Sequence, residues 1–500
     1  MPTSTPFAVC ATAAAAVAAV KQSGGAKRVP KPLVWDPNRH LLSRFAFGPW
    51  GAQAAGAPDK WFDAQIALGT RTKGYAGLPE LAGLYPYLAR SVAQTRMQLG
   101  AEGNQYGGTS MDQLTKATLA LQAWSPAQLY ETVVDFFANR LNVANYSDTQ
   151  QSMRLSYDRD VVRANAFGKY RDMLVASTKH PSMLKYLDND QSTFVAPNEN
   201  LGRELLELHT VGIGSGYTQA DVVDSAKILT GRGVDSRFWD YSWSNGAHFP
   251  GAVKVLGFTD ANPDVAKGEE VGDAYVAYLA SHPATAASLA RALCVRYVSD
   301  TPSDALVGAV AKAYLDNDTA IVPMLRTIVR STEFWDSRGR KLKRPLEAVV
   351  STLRVLQIQP VDLDRATSTL SWQLQQLGQR PLACSAPPGY VDVQTPWLSA
   401  GALLRLWNFQ LGYVQGWGTE FAKPAPEFLY GGTTPATVTD AFQAMAKTLL
   451  GGITLTTTEV YALLEYLGES PGLAVSRSKL SWLQRDVAGL LLHTAHHHLR

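Results

Sequence analysis

The sequence predicts a mainly α fold: a multi-helix single globular unit with a small β-hairpin insertion. Three observations carry this. Apolar residues recur at helical period from about residue 36 to about 494, and helix-start and helix-stop residues bracket the periodic runs. One stretch, 236–258, breaks the period with aromatic and β-branched residues around Asn245-Gly246. Hydrophobic residues make up 46% of the 500, with 12 Trp and 20 Tyr, which is the composition of a packed chain and not of a disordered one. Residues 1–30 read as a mobile N-terminal extension and 31–500 as one helical domain.

Asp36-Pro37 is a cap followed by proline in the first turn, and it opens a helix that Gly48-Pro49 stops. A short helix with Trp61, Phe62 and Ile66 follows, then longer ones near 79–98 and 110–123. Ser125 with Gln128 has capping-box spacing ahead of Val133, Val134, Phe136 and Phe137. Helical period continues over Arg159–Thr178, and His180-Pro181 introduces a short helix to Leu187.

The stretch Asn198–Gly212 organises the rest. Leu201, Leu205 and Leu208 fall on one stripe, while Glu199, Asn200, Arg203, Glu204 and Glu207 share the opposite face. Asn198 can cap the first turn, and Gly212 stands where a left-handed C-terminal cap is needed. Thr218 and Asp221 form a second capping signal, so 198–211 and 218–230 read as a helical hairpin. Helices resume at Glu269, including one begun by His282-Pro283, and further ones lie near 303–315, 319–331 and 344–357. A Pro-rich loop, 381–396, precedes helices near 399–414, 435–450, 455–467 and 474–494. Long ordered loops of this kind usually carry sites, so it is expected to pack near the organising helix beside the principal cleft.

So dense a polar face stands out in a chain with 18% charged residues. Glu204 and Glu207 are the candidate catalytic carboxylates and candidate ligands of a divalent metal, with Arg203 as the charge partner. His248 and Lys254, in the expected hairpin, are further acid–base candidates. His209 lies about 200° around a regular helix from Glu207, so the two cannot serve one metal ion, and it reads as a structural histidine.

The 46 basic and 43 acidic residues leave a net charge of +3, and no basic block is interleaved with aromatics, which argues against nucleic acid as a partner. Cys10, Cys294 and Cys384 match no metal or redox spacing, although a Cys294–Cys384 disulfide is open. No run reaches the length of a membrane-spanning helix. The Ala/Val-rich residues 7–20 have Lys21 after them and no basic residue before them, the reverse of a secretory signal. His493, His496, His497 and His498 have helical spacing for a weak metal site, but at a frayed end they read as adventitious. Zinc-helix and phosphate-loop motifs are missing from the sequence.

Several stretches in order resemble the bacterial family of domain of unknown function 1800. They are Leu41–Gly48, Asp135–Arg140, Asn198–Gly212, Gly216–Gly231, His248–Gly257, His282–Asp300 and Lys343–Glu347, spanning about 36–415. The family pattern has histidine where Arg140 stands, tryptophan where Arg232 stands and aspartate where Phe249 stands; Pro387-Pro388-Gly389-Tyr390 replaces Pro-Pro-Asn-Val followed by Gly-Trp. If these positions form a family site, the resemblance implies a changed or lost activity here. It also implies an exported relative group and a partner protein encoded by a neighbouring gene of a second family of unknown function.

Two functions of different class follow. A hydrolase-like enzyme would place the Glu204 and Glu207 face in a cleft with His248 nearby. A non-catalytic envelope or partner-binding protein would use the same face as a structural ion-pair network.

Overall fold

The computed structural model describes residues 36–500 apart from 52–54, 72–74, 76–77, 104–106, 423–425 and 471. The N-terminal extension lies outside the described residues. Among the described residues helices dominate, and the strands form two small antiparallel pairs.

Cap chemistry sets many of the boundaries. Asp36 accepts from the Asn38 amide at 3.0 Å with Pro37 in the first turn, which starts α1 (Pro37–Phe45). Between 79 and 98 the expected single helix is three pieces, Leu81–Leu84, Pro86–Ala89 and Val92–Ala101. Pro86 cannot donate the hydrogen bond that would continue the first piece, and a Ser91–Gln94 capping box restarts the chain. Helix α2 (Gln128–Arg140) begins without the expected capping box: Ser125 accepts from the Ala127 amide, and Gln128 folds back onto the Gln122 and Ser125 carbonyls.

Helix α3 (Asp148–Tyr157) widens into a π turn at Asp158–Arg163. The organising helix does the same, with α4 (Glu199–Glu204) followed by a π turn at Leu205–His209. A Thr218–Asp221 capping box opens α5 (Gln219–Leu229). Helix α6 (Pro283–Tyr297) has His282 as its cap. Then come α7 (Pro345–Val355), a helix at Leu363–Gln376 that the periodicity did not single out, α8 (Ala400–Gln415) and α9 (Arg477–Leu492).

The insertion contains two hairpins. Strand β1 (Arg232–Val234) pairs with β2 (Tyr241–Trp243), and β3 (Val253–Val255) pairs with β4 (Phe258–Asp260). Asn245-Gly246 lies in a 3-10 turn outside both. The tight turn is made by Leu256-Gly257, where both residues have positive φ as a primed turn requires.

The described residues form three apolar cores. The first gathers α1, α2, the organising helix and α6 around residues such as Phe45, Phe137, Leu205 and Leu293. The second joins α7, α8 and α9 through Leu353, Tyr413 and Val487. A smaller third one packs Tyr85, Leu114 and Leu155.

The disulfide left open is not formed, and one expectation is corrected. Cys294 and Cys384 are both free thiols. The histidine-rich end is not frayed: His496, His497 and His498 are buried, the Thr352 hydroxyl lies 2.9 Å from His497 Nε2, and Leu499 pairs with Leu342. Among the described residues no helix is long and apolar enough to cross a membrane.

Candidate functional site

The π turn reshapes the face that the sequence singles out. An extra residue in the turn buries both Leu205 and Leu206 and leaves Leu208 only partly covered. Thr210 closes the turn by donating its hydroxyl to the Leu205 carbonyl at 2.6 Å, and the Gly212 amide bonds back to Leu206 at 2.9 Å. Gly212 has φ +89°, a conformation L side chains rarely adopt. Gly202 is required for a different reason: a Cβ there would meet the Ala226 amide nitrogen at 2.9 Å, so its absence lets α4 and α5 touch.

The polar row on this helix is partly open to solvent. Arg203 Nη2 donates to Glu199 at 2.8 Å and to Gln219 at 3.0 Å, while its Nη1 lies 3.6 Å from Glu207. Burial pushes the Glu204 carboxyl above its ordinary range, the Glu207 charge adds to this, and Arg203 opposes it. Tyr217 is raised by burial and then by hydrogen bonding to Glu207. Tyr186 is raised to about 12, by burial first and then by Tyr146, Glu204 and Cys384, and its buried hydroxyl has no hydrogen-bond partner among the described residues.

Tyr186 and Tyr146 connect this face to the loop at 381–398. Their rings are 6.2 Å apart, and the Tyr146 hydroxyl donates to the Ser385 carbonyl at 2.5 Å. The loop itself is held by three asparagines spaced three apart. Asn139 exchanges hydrogen bonds with the Tyr390 backbone, Asn142 donates to the Cys384 and Ala386 carbonyls, and Asn145 donates to Leu382. The Asn-x-x-Asn-x-x-Asn spacing was readable in the sequence as a polar ladder. The other end of the loop, at Trp397 and Leu398, borders an apolar cavity that lies among α7, α8 and the end of α9, and Glu204 is not part of its lining.

His248 and Lys254 are not joined to the carboxylates by any hydrogen bond or ion pair among the described residues. His248 is 1% exposed; its Nδ1 lies 2.9 Å from the Thr230 carbonyl and its Nε2 3.0 Å from Asn262 Oδ1. It clamps the insertion to the end of α5. Lys254 is exposed, and its backbone amide donates to Asp224 at 2.9 Å. His209 is buried and pushed down to about 3 by desolvation and then by Arg140. Among the described residues no group of three or more His, Cys, Asp or Glu side chains is arranged to hold a metal ion, so Glu204 and Glu207 lack a third such ligand.

A buried ion network lies elsewhere. Arg296 on α6 meets Asp135 of α2 at 3.0 Å, Asp392 of the loop at 3.4 Å, and Glu347 of α7. Arg344 reaches Asp135 at 3.0 Å and Glu347 at 3.1 Å, and Arg500 reaches Glu347 at 2.8 Å. Arg44 donates to the Val298 and Ser337 carbonyls. Four of the stretches that carry the family resemblance thus converge on one place. A family model described as protein of unknown function (DUF1800) matches residues 40–496. The chain belongs to the DUF1800 family. No curated protein and no solved structure matches it.

The DUF1800 match extends past residue 415 and takes in the C-terminal helices of the second core. Three of the positions expected to depart from the family pattern have local partners. Arg140 donates to the Ser288 hydroxyl at 3.0 Å. Arg232 bonds Asp273 at 2.9 Å and Thr178 at 2.8 Å, and Phe249 lies under the Lys227 ammonium at 5.1 Å.

Proposed function

We propose that this DUF1800 protein is a hydrolase-like enzyme whose acid–base pair is Glu204 and Glu207. The observation that carries the reading is the contrast between two carboxylates one helical turn apart: Glu204 is pushed up by burial and by its neighbour, whereas Glu207 faces Arg203 at 3.6 Å. Pairs of carboxylates in unlike environments divide into a proton donor and a charged partner. Glu204 is then the group that carries a proton to a leaving atom, and Glu207, with Tyr217 beside it, orients the attacking water. The π turn supports the reading, because such turns recur at functional sites.

A panel of ester, amide, glycoside and phosphoester substrates tests this. Turnover by the wild-type chain that Glu204→Gln and Glu207→Gln each reduce by at least ~100-fold, with unfolding midpoints no lower than that of the wild type, is expected. Full activity in the double variant would remove both residues from the chemistry.

The partner-binding reading has its own observation. Phe194 and Val195 before the helix and Ile213 after it are exposed apolar side chains. Val195→Ser with Ile213→Ser would weaken a protein partner and leave turnover unchanged, which separates the two readings.

A further inference from the structure

A cavity of about 440 Å³ is bounded by Leu377, Trp397, Leu398, Leu403, Leu406 and Trp407, with His493 and His498 at its wall. Its size suits a small ligand, and its lining is dominated by apolar side chains. Trp407 fixes the tautomer of both histidines. Its indole N–H can only donate and lies 3.2 Å from His498 Nε2, so that nitrogen accepts and the His498 proton sits on Nδ1. Its carbonyl can only accept and lies 3.0 Å from His493 Nε2, so that nitrogen donates. Burial holds His493 down to about 4 and His498 down to about 3, so both rings are neutral near pH 7 and His493 Nδ1 is bare. Neither Nδ1 has a hydrogen-bond partner among the described residues.

We propose that this cavity binds an uncharged amphiphile, a straight-chain alcohol, with the chain against the tryptophans and leucines and the hydroxyl between the two histidines. The hydroxyl accepts from His498 Nδ1–H and donates to His493 Nδ1, which satisfies both free nitrogens with one atom. The polar end offers one donor and one acceptor and no charge, so a carboxylate or ammonium would lose its hydration without a counter-ion. The cation on the lining is Lys343, whose ammonium donates to the Ser351 hydroxyl at 3.0 Å and is itself buried.

Calorimetric titration of the full chain with 1-hexanol, 1-octanol, 1-decanol and sodium octanoate tests the assignment. Saturable one-to-one binding is expected to tighten about fourfold per methylene, with octanoate at least ~10-fold weaker than octanol. Leu403→Glu and, independently, Leu398→Glu at the exposed rim are expected to weaken octanol at least ~10-fold without moving the melting temperature. Absence of saturable binding, octanoate binding as tightly as octanol through Lys343, or octanol binding unchanged in both rim variants would each overturn the proposal.

Discussion

Arg203, Glu199 and Glu207 show how exposure decides what an ion pair is worth. Side chains that are 37%, 38% and 22% exposed share their fields with water, so Arg203→Ala is expected to cost no more than ~1 kcal/mol in urea unfolding. A larger loss would mean that the row is structural. Glu204 is the residue with a sign to test. Its folded-state affinity for a proton exceeds that of the unfolded chain, so the fold carries a penalty above the folded value that is relieved as pH falls through it. Glu204→Gln is therefore expected to be more stable than wild type at pH 7, with the gain shrinking toward pH 4, measured as two urea midpoints. A gain that grows on acidification would reverse the assignment. The polar face was legible as a pattern, because spacing alone aligns Glu204 with Glu207. Its half-exposure was not, because the number of neighbours around a helix face is set by elements distant in sequence.

At the scale of elements, caps were the most readable feature. Asp36, Asn198, Thr218 and His282 each accept the amide bond that their position implies. The π turns were not readable, because a change from four-residue to five-residue bonding leaves the residue types unaltered. The hairpins went differently from the sequence expectation because Leu256 adopts φ +46°, a role that Asn-Gly usually takes and that leucine does not advertise. The loop at 381–398 was recognised as ordered, but its anchor was not: Asn142 donates to the Cys384 carbonyl at 3.1 Å and the Ala386 carbonyl at 2.9 Å. Asn142→Ala takes a donor from the Cys384 carbonyl and one of two from the Ala386 carbonyl, which keeps the Gly389 amide at 3.0 Å, and is expected to cost ~1–3 kcal/mol. Hydrogen exchange over 382–390 should accelerate while the helices keep their protection. Unchanged exchange in that loop would show that Asn139 and Asn145 hold it without help.

For the whole molecule, two sets of buried charge govern stability. Neutral histidines make the fold acid-sensitive: His40, His180, His209, His493 and His498 are each pushed down to about 3 or 4, burial being the largest cause. Each takes up a proton more readily when unfolded, so stability is complete above about pH 6.5 and falls as pH drops from there toward the folded values, by up to ~1.4 kcal/mol per pH unit for each. Asp135, raised to about 6, acts in the opposite direction and offsets one of the five. Acid titration followed by circular dichroism is expected to show a transition well above pH 3. A fold that survives at pH 3 with undiminished urea resistance would refute the accounting.

The second set ties the cores together, and here the reading of 31–500 as one unit becomes a prediction. Asp135 stands on a helix of the first core, Glu347 on a helix of the second, and Arg296 bonds both while also facing Asp392 of the loop. Arg344 repeats the connection from the second side. Because Arg296 is 1% exposed, replacing it by methionine would leave carboxylates buried with fewer counter-charges, at an expected cost of ~3–5 kcal/mol. Asp135→Asn added to Arg296→Met should recover part of that loss, since the uncompensated charge and not the missing contact is what destabilises. Wild-type unfolding is expected to be one transition, coincident for tryptophan fluorescence and far-ultraviolet dichroism. In Arg296→Met the two signals are expected to separate, because Trp61 reports the first core and Trp124 packs against the second. Coincident transitions in the variant, with a loss below ~1 kcal/mol, would place the coupling between the cores in their apolar contacts and leave the ion network without a role in joining them.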